Sequence, residues 1–361
     1  MSSFLKYLAG RIFIALITIV LVSIVMFGII YISPLETRIS LFMPPNIPMR
    51  VLIDEEAFKR LENRIIEENH LNDSFPVQYG LWVKNSFQNN GGWSPTLRME
   101  VLPAVLARTP ATLELTLYSL LMISALTLLS GMQAARFKDR LVDFLIRLLS
   151  VTASAIPLFI LALFLMAIFY INLKWTSMTG LDMSLLESKG GFHAYTGFMT
   201  LDGLLNGRMD ITLTAFRRLL LPVITITASQ WAVLTRITRN SAIEELQKEY
   251  VLAAKARGAS NQFIIWHHVF RNILAVFLTN TALSASGIVT GVFIVERIFL
   301  WPGVSEILYH TGSFVPDAPA VIGFAIYCVI MVLSIMLILD MIQALVHPTI
   351  SQSMLGASDA E

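Results

Sequence analysis

Charge is scarce in this 361-residue chain: 14% of its residues are Asp, Glu, Lys or Arg, while 55% are hydrophobic. Soluble domains carry about 25% charged residues, so this chain is too poor in polar groups to clothe a water-facing surface of its own. Cysteine is rarer still. The single one, Cys328, lies inside an apolar run, which excludes an intrachain disulfide and leaves packing as its role. The formal net charge of +1 excludes the concentrated basic stripe of a nucleic-acid binder, so no nucleic-acid partner is expected. No Walker A pattern, HExxH or GxSxG occurs, so the local signatures of nucleotide, zinc and serine chemistry are missing. We therefore expect no catalytic residue, cofactor or metal in this chain. His267 and His268 are adjacent and would diverge on a helix, which favours packing over metal ligation.

Long uncharged runs are what the chain has instead. About 20 residues at 1.5 Å each cross the hydrocarbon core of a bilayer, and six runs approach that length: Ile12–Ile32, Leu115–Ala135, Leu148–Ile171, Leu219–Thr235, Ile273–Val295 and Ala318–Leu339. They predict an all-α polytopic membrane protein with six transmembrane helices. The fourth run has only 17 residues, with Arg217 and Arg218 at its edge. The first is no cleaved signal, because it has 21 apolar residues and continues into "YISPLE", whereas a signal core has about 7–15.

Lys and Arg orient the chain. Twelve of them fall in the 59 residues of segments 1–11, 136–147 and 236–271, and the other 14 in the 151 residues of segments 33–114, 172–218 and 296–317. The denser set is expected to face the cytoplasm, with both termini. The organisation that follows is an N-terminal transmembrane helix at 1–32, an extracytoplasmic subdomain at 33–113, a core of five transmembrane helices at 114–347 and a C-terminal tail at 348–361. Within the subdomain, Phe58, Leu61, Ile65 and Ile66 fall at helical spacing and predict an amphipathic helix packed on the membrane bundle. Glu114, at the edge of the second run, is either a pathway group or a surface carboxylate. In the fifth run "SASG" (Ser284, Ser286 and Gly287 among them) lets helices pack closely or lines the pathway.

The most informative stretch lies between the fourth and fifth runs, a cytoplasmic segment at 236–272. Ile243, Leu246, Tyr250 and Ala253 or Ala254 step by three and four, predicting one helix from Ser241 to Arg257, with Glu244 and Lys248 as an i,i+4 pair. Gly258 is a helix stop, and Ser260 can cap a second helix carrying Phe263, Ile264, Trp266 and Val269. Periodicity alone leaves two roles open: a helix lying on lipid headgroups, or a docking element whose small alanines admit another surface.

"YVLAAKARGASNQFIIWHHVFRN" resembles the EAA loop of ABC-importer permeases, in the variant of dipeptide and oligopeptide (peptide/nickel) systems. The likeness extends to "RTPATLELTL", "SAIPLF", "LPVITITASQWAVLTRITRNSAIEEL" and "VERIFLWPGVSEIL", nearly the whole chain. Leu252 stands where the loop's name expects an acid, a departure shared by other peptide permeases. The resemblance implies the type I importer permease fold and half of a translocation pathway for peptides or similar solutes. It implies as partners a second homologous permease, two ATPase subunits that bind ATP and Mg, and an extracytoplasmic substrate-binding protein, all in or at the bacterial inner membrane. Tyr250, Leu252, Ala253, Ala254, Lys255, Arg257, Gly258, Ala259 and Asn261 would form the ATPase-coupling surface; Glu114, Pro157, Ser284, Ser286 and Gly287 are candidates for pathway or gate. The competing readings are an exporter, a secondary carrier and an intramembrane enzyme. The last two would want ionisable or paired catalytic groups at membrane depth, which are nearly absent.

Overall fold

The computed structural model describes residues 2–43, 47–175, 191–311 and 317–346; the tail at 348–361 lies outside them, as does 176–190 of the second long connection. Two compact units divide the chain, one gathering Met1–Ile12, Pro110–Gly303 and Met331–Glu361, the other Phe13–Thr109 and Val304–Ile330.

Helix dominates because long apolar runs can satisfy their backbone groups in lipid only internally. Four continuous helices are long and apolar enough to span a bilayer: Ala9–Ile32 within α1 (Ser2–Ile32), α6 (Val101–Arg136), α10 (Met209–Glu245) and α16 (Ala318–Val346). The expected third and fifth spans are not straight. The third is α7 (Leu141–Ala155) followed by α8 (Leu158–Met166) and a π-helical turn, Ala167–Asn172, bent by 97°. Pro157 causes the break: it has no N–H to donate and pushes the preceding Ile156 to an extended ψ of 118°. The fifth joins a helix running from Asn261 through Leu283 to α14 (Ala285–Ile298), bent by 58° at Ser284. Counting each bent pair once gives up to six spans. The fourth run is not short either, because α10 carries helix through Arg217 and Arg218 for 37 residues.

α10 is the spine of its unit. It packs against α7, α8, α14, the short α9 (Met199–Leu205) and α13 (Phe270–Leu283). Gly131 lets α6 meet it: a Cβ there would lie 2.7 Å from Thr238 Cγ2. The buried Asp143 carboxylate holds α7 to the same end of α10, taking Arg239 Nε at 2.5 Å and Nη2 at 2.7 Å. Elsewhere in this unit, Thr112 donates to buried Glu296 (2.6 Å) and the Trp301 indole N–H donates to the Ala111 carbonyl (2.9 Å).

The second unit holds the subdomain expected outside. Its amphipathic helix exists as α4 (Glu55–Glu68), started by Asp54 Oδ1, which accepts from the Glu56 and Ala57 amides. Its apolar side closes on the subdomain itself. Ile65 closes with Ile39 of α2 (Leu35–Ser40) and with Leu71, beside Leu61 and Ile66. Phe27 and Tyr31 of α1 meet Phe75, Tyr79 and Trp82 of α5 (Phe75–Gln88) in tilted and edge-on ring contacts, and a hairpin of two short strands, Trp93–Ser94 and Met99–Glu100, follows. Buried Asp317 accepts from Ser94 (2.5 Å) and from Thr96.

Candidate coupling site

The predicted helix from Ser241 to Arg257 is broken. α10 ends at Glu245, three residues turn, and α11 (Glu249–Ala256) begins after Lys248, whose ψ of 153° is extended. Glu245 spans the break. Its carboxylate accepts from Lys248 Nζ (2.6 Å), from the Tyr250 hydroxyl (2.9 Å) and from Asn272 Nδ2 (2.6 Å). The expected Glu244 partner of Lys248 is thereby replaced by Glu245, one residue on. Partial burial, and after it the bond to Glu245, pushes the Tyr250 phenol up to about 12, so at neutral pH it stays protonated and donates.

The break rotates the stripe. Val251, which the unbroken period leaves out, is fully buried, whereas Tyr250 and Ala253 face outward. Val251 sits in one cluster with Met132 and Ala135 of α6, Ala242 of α10, Ile264, Ile265, Val269 and Ile273. Ala254 and Ala259 pack on its edge, as do Leu246 and Trp266. Phe263, expected on the apolar stripe, is half exposed and stacks on His267 at 4.8 Å.

Gly258 does stop the helix. Its φ is +84°, its N–H bonds the Lys255 carbonyl (2.9 Å), and the Ala259 N–H reaches back to the Ala254 carbonyl (3.2 Å). These are the two closing bonds of a Schellman motif, with Ala259 against Ala254 as its apolar contact. Ser260 then accepts from the Phe263 amide at 3.3 Å, starting the return helix at Asn261, which continues through a π-helical segment, Ile264–Val269. The result is a stiff helix–glycine–helix element. Leu252, Ala253, Lys255, Arg257, Gly258 and Asn261 are exposed on it, and Leu252 keeps 58% of its surface open.

The pathway candidates divide. Glu114 is 1% exposed and committed inside the fold, accepting from the Met199 and Thr200 amides at 3.1 and 2.8 Å and from the Thr200 hydroxyl at 2.5 Å. It braces α9 against α6, and its surface-carboxylate reading is corrected. Pro157 stands exposed at the first helix break, and Ser284 half-buried at the second. Ser286 and Gly287 are exposed on α14, where a Cβ on Gly287 would come 3.4 Å from Gln230 Nε2 of α10. Among the described residues no group of three or more His, Cys, Asp or Glu is placed to hold a metal ion.

Apolar helices of membrane-spanning length, two spans of them broken, that carry a helix–glycine–helix element with an open apolar and basic face define a polytopic membrane protein. The chain belongs to the family described as binding-protein-dependent transport system inner membrane component, which matches residues 127–352. It is similar to the di/tripeptide transport system permease protein DppB of Pseudomonas aeruginosa, 31% identical over 309 residues, 85% of this chain and 90% of the relative. The dipeptide transport system permease protein DppB of Alkalihalophilus pseudofirmus is 25% identical over 347 residues, 96% of this chain and 99% of the relative. The glutathione transport system permease protein GsiC of Shigella flexneri is 23% identical over 346 residues, with the same two coverages.

Proposed function

We propose that this permease forms half of the translocation pathway of an ATP-driven importer for short peptides or similar small solutes, and that it is driven through the element at 236–272. The observation that carries the reading is the geometry of α11. Its inner side is fixed by Val251 to the ends of α6 and α10, and its outer side presents Leu252 with small Ala253 beside Lys255 and Arg257. A rigid element that is apolar, small-surfaced and uncovered fits a groove on a partner, and a push on it is not dissipated in flexible linker. The partners are a second permease, two ATPase subunits binding ATP and Mg, and an extracytoplasmic binding protein, with both termini of this chain in the cytoplasm. The names of its relatives support peptides as the solute class. Purifying the chain from native membrane tests this: ATPase subunits should co-purify, the complex should hydrolyse ATP, and the isolated chain should not. Sustained hydrolysis by the chain alone, or no co-purifying ATPase, refutes it.

A further inference from the structure

The carboxylate at the end of α10 does more than terminate a helix. Glu245 is 7% exposed, and its two oxygens are shared among three segments: Lys248 of the turn, Tyr250 of α11 and Asn272 of the return helix. Apolar contacts such as those around Val251 resist separation but permit sliding and rotation, because dispersion has no direction. Hydrogen bonds to a buried carboxylate do have direction, and those to a charged group are the strong ones. Tyr250 lies on the open side of α11, at 36% exposure, so a surface covering Leu252 and Ala253 would touch the phenol whose hydroxyl ends on Glu245.

We infer that Glu245 is the positioning residue of the transmission, locking the docking helix, the return helix and the 37-residue α10 into one rigid joint so that a displacement of α11 turns α10 rather than rolling beneath it. The inference rests on the permease reading above. Without the carboxylate, α11 stays on its apolar cluster but swivels, and ATP is spent without moving α10.

The experiment uses the complete complex in proteoliposomes, with its binding protein and a mixture of radiolabelled di- and tripeptides as probe. Rates are normalised to assembled complex. The variants are Glu245→Gln, which keeps shape and loses charge, and Tyr250→Phe, which removes one oxygen at a partly exposed position and so keeps the test readable if the first variant folds poorly. The quantity measured is ATP hydrolysed per peptide taken up. It should rise about tenfold in each variant, the scale of one hydrogen bond to a charged group. The double variant should exceed the worse single by little, because both act on one joint. An unchanged ratio, with both rates falling only as assembly falls, makes Glu245 a brace of the fold and overturns the inference. Absence of ATP-dependent uptake by the unaltered complex overturns the permease reading instead, and this inference with it.

Discussion

Gly258 separates backbone strain from steric fit, because a Cβ built there meets nothing within 4 Å while its φ is +84°. Substitution therefore costs only what the left-handed conformation costs: about 1–3 kcal/mol for a residue with a side chain, less for asparagine, which visits that region, and most for a β-branched residue. One to two kcal/mol is a factor of about 5–30 in a two-state population. A valine would thus leave a small fraction of loops with both closing bonds, Gly258 N–H to Lys255 and Ala259 N–H to Ala254. Because position 258 is exposed and outside the buried cluster, that penalty falls on the loop rather than on insertion or on the bundle. In reconstituted complexes, ATPase stimulation by loaded binding protein and peptide uptake should both decline in the order Gly, Asn, Ala, Val, with membrane levels of the permease constant. Valine transporting at the unaltered rate would refute the claim that the glycine sets the geometry of a docking element.

Gly303 tests the opposite regime, because a Cβ there collides with the Glu296 carboxylate that Thr112 holds; Gly303→Ala should lower stability by about 1–3 kcal/mol, read as a fall in Tm of the detergent-solubilised protein. Asp143→Asn leaves Arg239 without its carboxylate and should destabilise by about 3 kcal/mol, whereas adding Arg239→Gln should recover part of that loss in the same thermal scan. In a Cys328→Ala background, a single cysteine at Asp54 should react with an impermeant maleimide from outside and one at Lys255 should not. Equal labelling of both from one side refutes the charge-based orientation.

The features legible in the sequence are those decided by neighbours along the chain. Gly258 as a stop, Ser260 as a cap and the amphipathic helix carrying Phe58, Leu61, Ile65 and Ile66 each depend on atoms a few residues apart, and residue type alone carries them. The break between Glu245 and Glu249 does not, since Glu245 is held partly by Asn272, 27 positions away, and so periodicity puts the stripe on Tyr250 rather than on Val251. Glu114 is hidden for the same reason: its donors lie 85 and 86 positions on. Pro157 is visible as a helix breaker, but whether a proline in a long apolar run gives a kink or a 97° turn depends on which helices flank it. In α10, Arg217 and Arg218 mark an end of hydrophobicity and conceal the continuation of the helix.

The contact of Gly131 with Thr238 divides α10 unequally. Seven residues separate Thr238 from Glu245 and 29 separate it from Met209, so at 1.5 Å per residue the two arms measure about 10 and 44 Å. A rod pivoting at that contact would have a mechanical ratio of roughly four, and a 2 Å push at the short arm would sweep the far end through about 8 Å. Pro222, which cannot donate to the Arg218 carbonyl, sits on the long arm and is where such a rod would bend under load. Any side chain at position 131 would collide with Thr238 and push the two helices apart at that point.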